Sequence, residues 1–285
     1  KIKSMGFFER MSNGWKISMS SFSVLRKNKQ LILFPILSGI ALILLTLSYM
    51  VILFAPNGWD FNKTYHESSI VHYLMLFVFY LINYFVIVFF NMALIHCARI
   101  YFEGGKPTLS DGLSFSMSRI GDILAWSAVA ATVGLIFRLL EENLGRIGEI
   151  ITAILGVAWS VTTFFVVPVL AYENLTPIAA YKRSIKIMKE KWGESLGATF
   201  SFGIIQLLAV LLISVPLFFI GSQFGIITGI ILAAIGLLFI ISIISAAQSI
   251  FISAVYFNIN DKPVADFDNE TLDGIFIQKE KKKLF

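Results

Sequence analysis

Chemistry inside an apolar chain needs ionisable or nucleophilic side chains held in pairs, and this sequence offers few. Asn83 and Asn91 interrupt one apolar run, and His96 and Cys97 follow them. Gln206 and Gln248 interrupt two later runs. On neighbouring helices such amides bond one another, typically for about 0.6 kcal/mol each; the sharper use is a polar path for a substrate. Asp122, Glu149 and Glu173 lie near the ends of apolar runs. They read as boundary charges or caps rather than proton carriers. His66, His72 and His96 are scattered, and the single Cys97 makes no internal disulfide and no zinc spacing. No H-E-x-x-H, G-x-S-x-G, P-loop or dinucleotide fingerprint occurs. The expectation is a protein without catalytic residues, metal or cofactor.

The elements that position these residues follow from composition. The chain of 285 residues is 57% hydrophobic and 14% charged. Soluble domains run near 45–50% apolar and about 25% charged, so this is a membrane composition. Six runs are long enough for a hydrocarbon core that needs about 20 helical residues: 31–54, 71–98, 121–140, 147–171, 196–220 and 226–257. The first run is too long and starts too late for a cleavable signal peptide. Of 23 lysines and arginines, only Lys63, Arg138 and Arg146 fall on one side of these spans when both termini lie on the other. The positive-inside rule therefore puts both termini in the cytoplasm. The net charge of +5 marks a membrane side, and no nucleic-acid partner is expected.

The short links "EENLGR" and "GSQFG" predict antiparallel hairpins between spans three and four and between five and six. Residues 173–195 form the cytoplasmic connector before span five. Thr176 and Pro177 predict a helix start, and Gly193 a helix end. Ile178, Tyr181, Ile185, Met188 and Trp192 share one helical face, with Ile187 pointing away. Lys182, Lys186 and Lys189 lie beside or beyond it. A basic amphipathic helix of this kind lies in the membrane interface, its lysines toward anionic headgroups and Tyr181 and Trp192 at headgroup depth. Alternatively, the stripe packs on the protein's own spans. Similar segments precede span one (Phe8, Met11, Trp15, Met19, Phe22) and span three (Leu113, Met117, Ile120). The chain thus reads as all-α: a polytopic membrane protein of about six transmembrane helices in three hairpins, each preceded by a cytoplasmic-side amphipathic helix.

Gly221, Gly225, Gly229 and Ala233 recur every four residues, a small-residue stripe that packs spans five and six together or meets another chain. Pro168 and Pro216 predict kinks in spans four and five. One transmembrane domain, 1–260, is expected, with a soluble cytoplasmic tail, 261–285, docked on the inner faces of the spans or on a partner through Phe267, Leu272, Ile275, Phe276 and Ile277.

Three stretches carry a resemblance: "GWKISMSSFSVLRKNKQLILFPILSG", "GGKPTLSDGLSFSMSRIGDILAWSAVAATVGLIFRLLEE" and "AWSVTTFFVVPVLAYENLTPIAAYKRSIKIMKEKWGES". Together they resemble a family of uncharacterised bacterial integral membrane proteins, the domain-of-unknown-function family six-one-five-nine. The resemblance implies a bacterial or archaeal inner-membrane protein and supplies no activity. The expected function is a non-enzymatic scaffold, accessory subunit or lipid-organising component, with membrane lipids and a protein partner or second copy as partners. The alternative is a transporter or channel for a small or amphiphilic substrate.

Overall fold

The computed structural model describes residues 7–59, 70–260, 262 and 264–267. All regular structure among them is helical. The helices are α1 (Phe7–Lys27), α2 (Leu33–Phe54), α3 (Ile70–Phe102), α4 (Leu109–Ser118), α5 (Ile120–Leu144) and α6 (Arg146–Thr163). They continue as α7 (Val166–Tyr172), α8 (Pro177–Ala209), α9 (Val215–Ser222) and α10 (Ile226–Ile259). Six spans are long and apolar enough to cross a membrane: Lys29–Phe54, Ile70–Phe102, Ile120–Leu144, Arg146–Tyr172, Phe202–Ser222 and Ile226–Ile259. They coincide with the six apolar runs to within a few residues.

Consecutive spans touch, α2 with α3, α5 with α6 and α9 with α10. Contacts do not stop there, since α3 lies as extensively against α5 as α9 does against α10. The tightest contacts are made by glycine. A Cβ on Gly148 would sit 2.3 Å from the Leu140 carbonyl oxygen, and one on Gly221 would sit 2.8 Å from Gly229 Cα. Gly145 alone separates α5 from α6, with φ at +53°, the left-handed region that suits glycine.

Buried residues concentrate at the end of the bundle that carries most of the cations, called here the basic end. They include Leu31 and Phe34, Met92–Ala98, Ile123 and Trp126, Phe165–Ala171, and the stretch from Ala246 to Phe257. Toward the far end the spans expose Leu44, Ile52, Leu74, Ile136, Ile154 and Ile227. Such exposure is costly in water and costs little in hydrocarbon, where lipid tails are as apolar as leucine.

Both prolines act as the covalent geometry dictates. Pro168 has no N–H, and its ring clashes with the carbonyl of Phe164 four residues earlier. The fourth span breaks there, between α6 and α7. Ser184 of α8 repairs the break: its hydroxyl donates to the Thr162 carbonyl (2.7 Å) and accepts from the Phe165 N–H (3.1 Å). Just before Pro216, the fifth span widens into a π-helical segment, Val210–Ser214.

The helix expected to stop at Gly193 does not stop. α8 runs unbroken through it, so the amphipathic connector and the start of span five are one element. Its neighbours include α1, α5, α6, α7 and α10. Tertiary contact outweighs a single glycine, whose cost within a helix is only about 1 kcal/mol.

Candidate functional site

Three helical segments, α1, α4 and the first half of α8, form a collar at the basic end. Their apolar stripes turn only partly inward: Phe22, Leu113, Tyr181 and Met188 pack on the core, while other stripe residues stand outward. The inward positions combine large apolar side chains, Val24 and Leu25 on α1 and Ile187 and Met188 on α8, with small ones: Ser18 and Ser21 on α1, Gly112 and Ser116 on α4, Ala180 and Ser184 on α8. Further large apolar side chains stand outward, among them Trp15 (43% exposed), Met117 (60%) and Ile178 (51%). Close backbone approach explains the choice of small residues. A Cβ on Gly112 would lie 2.5 Å from Phe34 and 2.9 Å from the Ala93 carbonyl. Ser116 reaches the Phe89 carbonyl at 2.8 Å. α4 starts with a capping box, Thr108 and Asp111 each bonding the other's backbone N–H. The hydrogen bonds from Thr108 hold the Asp111 carboxyl below its ordinary pKa.

On α8, Lys182, Lys186 and Lys189 are exposed and share a face with Ile178. Tyr181 is half-buried; its ring lies 6.0 Å from Trp126 and 5.6 Å from Trp159, two indoles stacked on each other at 5.8 Å. Ile187, expected to point away, is 1% exposed and packs inward with Met188. The buried face is therefore rotated toward Ala180, Ser184, Ile187 and Met188. The side chain of Trp192, and those of Phe8 and Met11, lie outside the described residues.

A polar belt ties the collar to the spans. Glu173 accepts from Arg183 Nε (3.0 Å) and from the Tyr256 hydroxyl. The Tyr172 hydroxyl donates to the Ile95 carbonyl (3.2 Å) and lies 2.6 Å from Ser253 Oγ. The Tyr172 and Tyr256 rings stack at 5.1 Å. Arg119 bonds Asp122 (3.2 Å) and Asn174. Each carboxylate here is held by a cation or hydroxyl, which makes these contacts structural ties. Beyond α10, Asp266 binds both Lys27 and Tyr101, while Phe267 packs on Phe102 at 6.0 Å. The rest of the tail lies outside the described residues.

Among the described residues, cavities open between the spans, two of them of note. One, of about 340 Å³, lies between α2 and α3 toward the far end and is apolar, lined by Leu45, Val71, Leu74 and Val78 among others. The second, of about 180 Å³, lies between α2, α3 and α10 and has a polar floor: Ser38, Asn91, Ser242, Ser245 and Ser249. Of the amides flagged from sequence, only Asn91 reaches it. Asn83 bonds back to the Phe79 carbonyl on its own helix at 2.7 Å. His96 stacks on Phe115 at 3.9 Å, and Cys97 Sγ donates to the Thr108 carbonyl at 3.3 Å. The serines were visible at spacings of three and four along α10, but serine in an apolar helix usually only bonds its own backbone. No group of three or more His, Cys, Asp or Glu fit to hold a metal occurs among the described residues.

Gly221 and Gly229 face each other across the α9–α10 contact, on two helices rather than along one stripe. Gly225 is the turn between them, with φ at +127°. Ala233 is half-buried on α10. Gly236, two turns beyond Gly229, continues the close contact: a Cβ there would lie 2.6 Å from Leu217.

A family model, described as a family of unknown function (DUF6159), matches residues 70–265. The chain belongs to this family. The matched stretch runs from α3 to the foot of α10, so it takes in α4, the Ser184 repair and the Glu173 belt. A search of curated proteins finds no match.

Proposed function

We infer that this member of the DUF6159 family is a non-enzymatic multi-pass membrane protein that acts as a lipid-organising scaffold or accessory subunit. In this reading the collar lies at the cytoplasmic boundary of a bacterial or archaeal inner membrane, with both termini on that side. The single observation that carries it is the set of large apolar side chains on the collar's outer surface. Trp15, Met19, Met117 and Ile178 point outward where water would disfavour them, and Lys182, Lys186 and Lys189 share the outward face of α8. Apolar bodies with a ring of cations suit the boundary between acyl chains and anionic headgroups. Each lysine near such a surface contributes about 1 kcal/mol. The small inward residues let the collar sit close on the spans, so the outward groups are free for lipid, a protein partner or a second copy.

The test is lipid selectivity in proteoliposomes, measured with spin-labelled phosphatidylglycerol against phosphatidylcholine. Replacing Lys182, Lys186 and Lys189 by Gln should remove most of the preference for the anionic lipid while the fold is kept. An unchanged preference would refute the reading.

A second reading, a transporter or channel for a small or amphiphilic substrate, is favoured by the polar-floored cavity and the broken fourth and fifth spans. The two cavities share no lining residue, which favours the first reading over a continuous path. Solute flux through reconstituted vesicles, abolished by Asn91→Leu, would favour the second.

A further inference from the structure

The polar-floored groove has a feature that packing alone does not explain. Ser242 is 1% exposed, lines the groove, and its hydroxyl has no hydrogen-bond partner. A buried hydroxyl left unbonded costs about 1–3 kcal/mol. Ser242 does not even take the carbonyl four residues back, as Ser249 does with Ser245 at 2.9 Å. A second donor or acceptor is left over beside it. Ser249 lies 2.7 Å from one end of the Asn91 amide. A hydroxyl has one hydrogen, so Ser249 gives it either to Ser245 or to Asn91. In both cases the other end of the Asn91 amide remains for something in the groove.

The walls show where that something comes from. Pro35 and Leu42 line the groove, so it spans the first three turns of α2, within about 14 Å of that helix's start at a 1.5 Å rise per residue. Lys27 and Lys29 lie six and four residues before that start. In the lipid-organising reading, the groove therefore lies toward the cytoplasmic boundary, where a bilayer carries its glycerol esters. Ile87 and Ile241 line it and are 42% and 44% exposed, so it opens sideways toward hydrocarbon. No charged side chain lines it. Its volume of about 180 Å³ equals roughly six waters at about 30 Å³ each, enough for a small neutral group.

We propose that this groove is a binding site for the glycerol diester of one membrane lipid, with Ser242 and Asn91 hydrogen-bonding the ester oxygens and the acyl chains leaving between Ile87 and Ile241. The choice of occupant rests on the lipid-organising reading, but the site is separate from the lysine face of the collar. A lipid held there wedges α2 against α3 and α10, and Gly39 sets the closeness of that crossing: a Cβ on it would lie 2.7 Å from Leu238.

The test uses proteoliposomes containing trace photoactivatable lipids with a diazirine high on the acyl chain. The probes are a diacylglycerol, a phosphatidylglycerol and the ether-linked analogue of each. Labelled peptides are mapped by mass spectrometry. Both ester probes should label the α3 and α10 walls of the groove, and each ether analogue should label them about fivefold less, as expected for one lost hydrogen bond. Labelling by the phosphatidylglycerol ester alone would show that the headgroup, not the diester, is recognised, and would overturn the proposal. Ser242→Ala and Asn91→Leu should erase the ester preference. Ser242→Leu should block labelling outright, and the alanine variant keeps the test decisive if the leucine variant misfolds. Equal labelling by ester and ether probes, or an ester preference that survives both polar substitutions, would also overturn it. The variant with Lys182, Lys186 and Lys189 changed to Gln should label the groove normally. Normal groove labelling with unchanged anionic preference in that variant would refute the collar alone, and the converse would refute the groove alone.

Discussion

Replacing Gly229 by Ala should destabilise the bundle by an amount readable from the α9–α10 contact. The added Cβ would lie 2.8 Å from the Phe218 carbonyl oxygen and 3.0 Å from the Ser222 nitrogen. Ordinary contact begins near 3.4 Å, so the helices must part by about 0.6 Å. Both obstacles are backbone, and no rotamer change relieves them. Overpacking of this kind costs about 1–3 kcal/mol. Alanine also gains about 1 kcal/mol of helix propensity over glycine, which would blur the result. Gly156→Ala on α6 supplies the control, because its Cβ would meet nothing within 4 Å. Both variants gain the same propensity, so their difference isolates the packing cost of about 1–3 kcal/mol. Denaturant unfolding in mixed micelles, followed by tryptophan fluorescence, measures it. Equal stability of the two variants would refute the claim that close backbone contact holds α9 on α10.

Other outcomes follow from the same geometry. Ser184→Ala should cost about 1–3 kcal/mol by unsatisfying the Thr162 carbonyl and the Phe165 N–H, measured by the same unfolding. The contact between Lys27, Tyr101 and Asp266 should be pH-sensitive at both extremes. Burial acts to raise the Asp266 pKa, but the hydrogen bonds from Lys27 and Tyr101 outweigh it and hold it below 3.8, while the bond to Asp266 raises Lys27 above 10.5. Stability from Asp266 is present above its unfolded pKa and lost as pH falls through the lowered one; stability from Lys27 is present below its unfolded pKa and lost as pH rises through the raised one. Protease cutting after residue 260 should therefore increase below about pH 4 and above about pH 10.5, and Asp266→Asn should remove the acid-side change. Cysteines introduced at Lys63 and Gly145, with Cys97 replaced, should react with an impermeant thiol reagent from outside intact cells, and one at Lys186 should not.

Much of the fold was legible because its signals are long. A span of some twenty apolar residues tolerates an error of a few positions, and Pro168 and Pro216 announce their breaks locally. The collar's faces were legible only in part. In the stripe from Ile178 to Trp192, Met188 is buried and Tyr181 half-buried, but Ile178 is exposed, because in lipid a large apolar residue gains little by turning inward and small residues allow close contact. That is why Ala180 and Ser184 are buried while Ile178 is exposed. Gly193 carried a stop signal that tertiary contact overrode. Gly221 and Gly229 looked like one stripe because the turn at Gly225 falls between them; the spacing of four was shared by two facing helices. The groove was half visible. Asn91 stood out by type, whereas Ser38 and Ser242 meet only through the crossing of α2 and α10, which no local pattern encodes.

The most direct test of the account is the depth of the collar in a bilayer. Spin labels placed singly at Met19, Met117 and Ile178, in protein lacking Cys97, report depth through the ratio of collision with oxygen to collision with a water-soluble nickel chelate. The account predicts all three at the headgroup boundary, with oxygen access well above that of a label at Lys186. Three labels as open to the nickel chelate as Lys186 would place the collar in water and contradict it.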